Sequence, residues 1–404
     1  MDKKNYANNE VRWPRYDNKM ILKTIKNVLE SNRWTITGYW TGQPSYEERF
    51  SRAFADYNNV NYCVLTTGGT TALQIALEAL NVGYGDEVIV PALTWVATAT
   101  AVLNVNAKPV LVDVEEDTMC ISSEEIESAI TKRTKAIIPV HLYGSVCDMD
   151  KIMNIARKNN LYVIEDCAQS HGAKYKDKRV GTIGHMGCFS MQHGKTLTAG
   201  GGGAVITNSE DLYKRLYQLR TDSRIIKDNK SLINYGDMEV EESGKVQGNN
   251  FCLSEFASAI LLYQLASLDK EHDDRRINAN YFERELNKLG YETQKRNEYI
   301  TYSTYYGFAF KIKDNQNIGE IIDKIRSKIN LGSFFVHQCY EPINKNSLFC
   351  PWTKRKYDNI DIDEKRWRNM DIVISQKLAG SVVVIHHSLL FHRHSLEQIL
   401  EVLK

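Results

Sequence analysis

Residues 62–80 read YCVLTTGGTTALQIALEAL. A short apolar run ends at two threonines, Gly68 and Gly69 follow, and Thr70-Thr71 open a stretch whose apolar residues recur at helical spacing. Strand, glycine turn and helix together form the first half of a βαβ unit. The N–H groups at such a helix start, with the helix dipole behind them, also make a site for an anion such as phosphate. A plain strand-to-helix turn capped by threonine accounts for the same residues.

The pattern repeats downstream. Short apolar strands are predicted at 87–90, 109–114, 136–140, 161–165, 187–191 and 203–207, and helices at 71–80, 95–103, 123–130 and 149–158. With residues 62–65 this makes seven strands. Apolar strands separated by helices imply a largely parallel sheet covered on both faces. Upstream lie a polar arm, a short helix ILKTIKNVLE, a loop at GYWTG and a helix with Phe50, Phe54 and Tyr57 on one face. After about residue 210 the rhythm changes. Residues 225–248 read as a long polar loop, 253–268 as a strong helix, and the rest as a smaller α/β unit with strands at 305–311 and 381–385. The expected division is an arm and helix over 1–30, a large domain over 31–264 and a small domain over 265–404.

The 404 residues carry 51 Lys+Arg against 50 Asp+Glu, a net charge of +1, with no dense basic run. That balance argues against nucleic acid as a partner. The start, MDKKNYANNE, lacks the apolar core of a secretory signal, and no apolar run is long enough to cross a membrane. Eight cysteines without a CxxC pair read as reduced, mostly buried thiols. The expected location is the cytoplasm.

Two further motifs bear on chemistry. In LYVIEDCAQSHGA (161–173) an apolar strand ends in Glu165-Asp166. Ligands of open parallel sheets sit at the carboxyl ends of strands, and a carboxylate buried there needs a cationic partner; a helix cap is the plain alternative. In SMQHGKTLTAGGGGAVIT (190–207) Lys195 precedes four glycines. A lysine there can form a Schiff base with a carbonyl if burial keeps it partly neutral; a solvated loop lysine is the plain alternative. Gly194-Lys195-Thr196 echoes a phosphate-binding loop, but Phe189 stands where that motif needs glycine, and Gly181, Gly184 and Gly187 do not give G-x-G-x-x-G. The four histidines of HHSLLFHRH (386–394) lack metal-ligand spacing, and no metal is expected. A phosphate-binding helix start, a strand-end aspartate and a lysine, in that order, form the layout that pyridoxal phosphate requires: an anchor for the phosphate, a partner for the ring nitrogen, and an amine for the aldehyde carbon.

At these residues the chain resembles the sugar and cyclitol aminotransferases of the DegT/DnrJ/EryC1/StrS family. GDEVIVPALTWVATATAVLNVNAKPVLVDV, TKAIIPVHLYG, VIEDCAQSHGA and FSMQHGKTLTAGGGGAVIT carry the likeness. SNRWTITGYWTGQPSYEERF, QGNNFCLSEFASAILLYQL and NSLFCPWTK resemble the subgroup that aminates a cyclic ketone. The resemblance implies an α/β fold-type-I pyridoxal-phosphate transferase, with a mostly parallel seven-stranded sheet flanked by helices and a smaller C-terminal α/β domain. It implies Lys195 as the residue that holds the cofactor, Asp166 on the ring nitrogen, Trp95 stacked on the ring and Gln169 beside it. Gly69, Thr70 and Ser190 would bind the phosphate, and Asn250 would reach it from a neighbouring subunit, so a homodimer with shared sites is expected.

Tyr39, Trp40, Thr41, His386 and His387 are candidate acceptor-lining groups. The donor would be L-glutamine or L-glutamate, and the acceptor a keto-inositol such as 2-deoxy-scyllo-inosose. A nucleotide-linked keto-sugar, with Arg220 and Arg224 on its diphosphate, and a non-catalytic cofactor-binding regulator are the alternatives. Three positions depart from the family pattern: Gly68 for serine, Gly201 for glutamate and Cys252 for arginine. A related sugar-dehydrating branch has histidine in place of the lysine.

Overall fold

The computed structural model describes residues 11–227 and 230–404; the first ten residues of the expected arm lie outside them. Seven strands form the main sheet: β1 (Tyr62–Thr66), β2 (Glu87–Pro91), β3 (Lys108–Val112), β4 (Thr134–Ile137), β5 (Tyr162–Asp166), β6 (Met186–Ser190) and β7 (Gly203–Thr207). Their order is β1-β7-β6-β5-β4-β2-β3. From β3 through β6 every pairing is parallel. β7 runs against both of its neighbours, so β1 points the same way as the other five. The sheet is thus the mostly parallel one that the sequence implies, with one reversed strand.

Helices cover both faces. α1 (Asn18–Ser31), α2 (Tyr46–Asn58), α3 (Gly69–Ala79), α4 (Ala97–Asn104), α5 (Ser123–Ala129), α6 (Met149–Asn159), α7 (Glu210–Arg220) and α8 (Glu255–Leu265) precede or flank the strands. Alternate residues of a strand serve opposite faces. Val88 and Val90 join the core formed by α3 and α4, while Ile89 joins the core that holds Phe50 and Phe54 of α2, Ile152 of α6 and Leu261 of α8. All eight cysteines are free, six of them buried.

Beyond α9 (Leu268–Lys288), three antiparallel strands, β8 (Gly307–Lys311), β9 (Val336–Gln338) and β10 (Val382–His386), form a sheet in the order β8-β10-β9. Its core includes Phe282 of α9, Ile325 of α10 (Ile318–Ile329) and Ile399 of α11 (Arg393–Leu403). Residues 343–372 leave this sheet and return to the main one. Ile343, Phe349, Tyr357, Ile360, Trp367 and Ile372 are buried in the same core as α3 and α4. Two local expectations are corrected. The helix predicted from residue 95 begins at Ala97, which leaves Trp95 in the preceding turn. The polar segment 225–248 is not wholly loop, because residues 224–226 pair with 240–242 as a short hairpin.

Candidate active site

The carboxyl ends of β1, β2, β5 and β6 open on one cavity of about 530 Å³. Gly69, Thr70, Trp95, Asp166, Gln169, Ser190, Lys195 and His386 all line it, although they are scattered over more than 300 residues of chain. Parallel topology brings them together, because each strand delivers its last residue to the same edge.

The start of α3 forms one wall. Gly68 occupies the N-cap position, and no side chain there bonds the first N–H groups, whereas Ser45 and Asp148 do so at the starts of α2 and α6. The first N–H groups of a helix have no partner within it, so those of α3 face the cavity unclaimed by a cap. Gly69 is required by packing: a Cβ there would lie 2.7 Å from Ser190 Cβ. At Gly68 a Cβ would meet nothing closer than Thr71 Oγ1 at 3.9 Å, so the serine of the family pattern would fit.

Glu165 and Asp166 end β5 with opposite duties. Glu165 Oε2 is 3.1 Å from His141 Nε2 and accepts the Gly181 N–H, and Oε1 accepts the N–H groups of Ile183 and Gly184. These four bonds spend its acceptor capacity and tie β5 to the loop before β6. Asp166 instead faces the cavity. Oδ2 accepts from Thr98 Oγ1 at 2.9 Å and Oδ1 from Ala168 N at 3.1 Å. Burial raises its carboxyl above the ordinary range, against the pull of those two bonds and of the charges on Lys195 and His141. Gln169 accepts the Tyr143 N–H and reaches Tyr340 Oη at 3.4 Å. Trp95 is 47% exposed and lies in the cavity wall with its ring 6.0 Å from that of Tyr340.

Lys195 is 8% exposed, and its Nζ lies 4.4 Å from the Tyr306 ring centroid. Its turn closes on itself: Lys195 N donates to Gln192 O and Gly194 N to Gln192 Oε1, each at 2.8 Å. The glycines that follow are not equivalent. Gly200 and Gly202 take φ of +82° and +127°, where side chains are strained. Gly203 brings β7 against β1, and a Cβ on it would lie 2.4 Å from Gly68 O. Gly201 has neither constraint: its Cβ would meet only Thr67 O at 3.9 Å, and it lines the cavity.

The remaining candidate positions fall outside this cavity. His387 is fully buried with its Nε2 3.1 Å from Gly194 O, so it supports the lysine turn and lines nothing. Tyr39, Trp40 and Thr41 run along residues 234–238, where Trp40 N donates to Asp237 O and Gly236 N to Trp40 O. Asn250 is exposed and bridges to Thr221. Arg220, suggested for a diphosphate, is buried against Glu47 and bonded to Leu65 O, so it is unavailable to a ligand.

Sequence reasoning missed Thr98, Tyr306, Phe334, His337 and Tyr340 in the wall. Thr98 lies in the turn-to-helix segment after β2, where its position just past a strand end was a usable signal. The other four come from the C-terminal sheet and its loops, and nothing local marks them. Burial holds the His386 imidazole down to about 3, which keeps it neutral.

The sheet order, the cavity at its carboxyl edge and the lysine within it define a pyridoxal-phosphate-dependent aminotransferase of fold type I. The chain belongs to the DegT/DnrJ/EryC1/StrS aminotransferase family, whose model matches residues 16–359. It is 43% identical over 387 residues to an L-glutamine:2-deoxy-scyllo-inosose aminotransferase of Streptomyces fradiae, covering 94% of this chain and 90% of the relative. It is 39% identical over 315 residues to a GDP-perosamine synthase of Caulobacter vibrioides, covering 78% and 81%. A crystal structure from Bacillus subtilis with bound pyridoxamine phosphate superposes with a TM-score of 0.78 at 25% identity, over 95% of this chain and 81% of that one. Among the described residues no helix is long and apolar enough to cross a membrane.

Proposed function

We propose that this enzyme moves an amino group from L-glutamine, or L-glutamate, to a cyclic ketone, a keto-inositol such as 2-deoxy-scyllo-inosose. One observation carries the reading: an uncapped helix start, a buried aspartate and a lysine line a single cavity. These residues fit pyridoxal phosphate. The backbone N–H groups at Gly69 and Thr70, which no capping side chain claims, suit its phosphate together with the Ser190 hydroxyl. Among the described residues no cation forms an ion pair with Asp166, and burial raises its carboxyl. A protonated ring nitrogen is the partner that would return it to the ionised form. The exposed indole of Trp95 suits the face of a flat ring.

When bound, the cofactor supplies the electron sink that lets the donor Cα–H leave as a proton. Lys195 Nζ would hold the cofactor at its aldehyde carbon and, as a free amine once the donor is bound, would carry the proton that leaves donor Cα. In the second half the same amine would move a proton in the reverse sense on the ketone, which predicts ping-pong kinetics. A protonated ring nitrogen beside Asp166 would keep its carboxyl ionised against the pull of burial. Asn250, together with the loop at Tyr39, Trp40 and Thr41, serves the site of a second copy of the chain.

The curated relative at 43% identity acts on 2-deoxy-scyllo-inosose and matches more of the chain than the GDP-perosamine synthase does. The loss of Arg220 to Glu47 also weakens the nucleotide-linked alternative. Lys195→Ala should abolish turnover and the visible absorbance of the bound cofactor; a variant that kept both would overturn the assignment. A panel of keto-inositols and nucleotide keto-sugars, read by product mass after loading with L-glutamine, tests the acceptor. Conversion of nucleotide keto-sugars alone would refute the cyclitol reading, and no turnover with any ketone would indicate a regulator.

A further inference from the structure

The turn that carries Lys195 satisfies its N–H groups internally, but two of its carbonyls are held by residues from far along the chain. Trp13 Nε1 donates to His193 O at 2.7 Å, and His387 Nε2 lies 3.1 Å from Gly194 O. Burial, with the nearby His386 and Arg275, keeps the His387 imidazole neutral, so the ring nitrogen facing a carbonyl must carry its proton. The two donors also meet each other, the Trp13 ring standing edge-on to His387 at 4.3 Å and 88°. Trp13 precedes α1, and His387 directly follows β10. Both therefore converge on the two peptides just before Lys195, and one of those residues is Gly194, which has no side chain to limit its rotation.

We propose that Trp13 and His387 are positioning residues for Lys195: their N–H groups lock the His193 and Gly194 carbonyls, and so fix the direction from which Nζ enters the cavity. The inference rests on the role given to Lys195 above. With the lock in place, Lys195 N closes on Gln192 O and its Nζ is carried to the face of Tyr306. Without it, the peptides on either side of Gly194 would be free to rotate, and Nζ would sample positions away from the reacting carbon.

The test uses the holoenzyme variants Trp13→Phe, which keeps an aromatic ring and removes the N–H, His387→Phe, and His387→Gln, which restores a donor. Trp13→Phe and His387→Phe should lower kcat for the donor half-reaction about tenfold, the scale of a small misplacement of a reacting group, with little change in donor KM. The pH midpoint of the bound cofactor's visible band should shift in both, and His387→Gln should recover most of the loss. Wild-type kcat and midpoint in Trp13→Phe, with only a lower melting temperature, would overturn the proposal. If His387→Phe does not fold, Trp13→Phe decides alone. Lys195→Ala is the control: a visible band that persists in it refutes the role of Lys195 itself, whereas a band lost in it but unmoved in Trp13→Phe refutes only the positioning.

Discussion

Gly201 and Gly203 belong to one glycine run and are opposite in structural need. Gly203→Ala would drive a Cβ to 2.4 Å from Gly68 O, where β7 meets β1, and should cost about 2 kcal/mol, as overpacking a buried contact does. Gly201→Ala should change stability by no more than about 0.5 kcal/mol, because its Cβ meets only Thr67 O at 3.9 Å. Chemical denaturation of the two variants would show the contrast, and equal losses would refute it. A run of four glycines cannot be ranked from sequence, since what distinguishes them is the approach of Gly68 and the turn of the backbone. Lys195 and Asp166 were legible for the opposite reason: a charged residue at the end of an apolar strand or beside a glycine run conflicts with its local context. Thr98 is a milder case. Thr98→Val removes the 2.9 Å bond to Asp166 Oδ2 and should weaken cofactor binding roughly tenfold, the worth of a hydrogen bond to a charged group. Equilibrium dialysis of the cofactor would measure it.

At the scale of elements, α2 shows what local pattern reveals and what it hides. Its buried face, Phe50 and Phe54, follows from helical spacing, and Ser45 accepts the Glu48 N–H as its cap. Its remaining first N–H groups are served from α8: Glu255 Oε2 accepts from Tyr46 N and Oε1 from Glu47 N, 208 residues or more away. Only the packing of α2 on α8 creates that pair. Burial pushes the Glu255 carboxyl from 4.5 up to about 7, with Glu47 adding to the rise and the two N–H bonds and Arg33 opposing it. A raised carboxyl contributes stability that is complete below its unfolded value and is lost as pH rises through its folded value. The window runs from about 4.5 to 7, each unit being worth about 1.4 kcal/mol before solvent screening. The melting temperature of wild type relative to Glu255→Gln should therefore fall across that window. A difference that stays flat or rises would remove Glu255 as the source.

At the scale of the whole molecule, the seven-stranded sheet was legible because each strand and helix announces itself locally, while two long-range features were not. Residues 343–372 cross back to cover α3 and α4 with Phe349 and Trp367, a return that no local pattern encodes. The other feature concerns Asn250, which the family resemblance assigns to the cofactor site, and the acceptor-lining candidates Tyr39, Trp40 and Thr41, none of which lines the cavity of its own chain. They belong to neighbouring segments: Tyr39 bridges to Met238, Asn250 to Thr221, and Thr35 to Ser254. Trp34, Tyr235 and Met238 on the same segments leave 53%, 73% and 39% of their surfaces exposed. An exposed apolar region carrying these residues is what the proposed sharing of the site between two copies would leave on a single chain. Lys195 and Asn250 would then act at a given site from different subunits, which makes complementation the decisive test. Lys195→Ala and Asn250→Ala homodimers should each be impaired. In a hybrid, one site carries both lesions and the other carries neither, so reassociating equal amounts of the two variants should restore about a quarter of wild-type sites, the statistical yield for a two-fold dimer. Activity that never rises above the mean of the two parents would place both residues in one subunit's site and refute the shared arrangement.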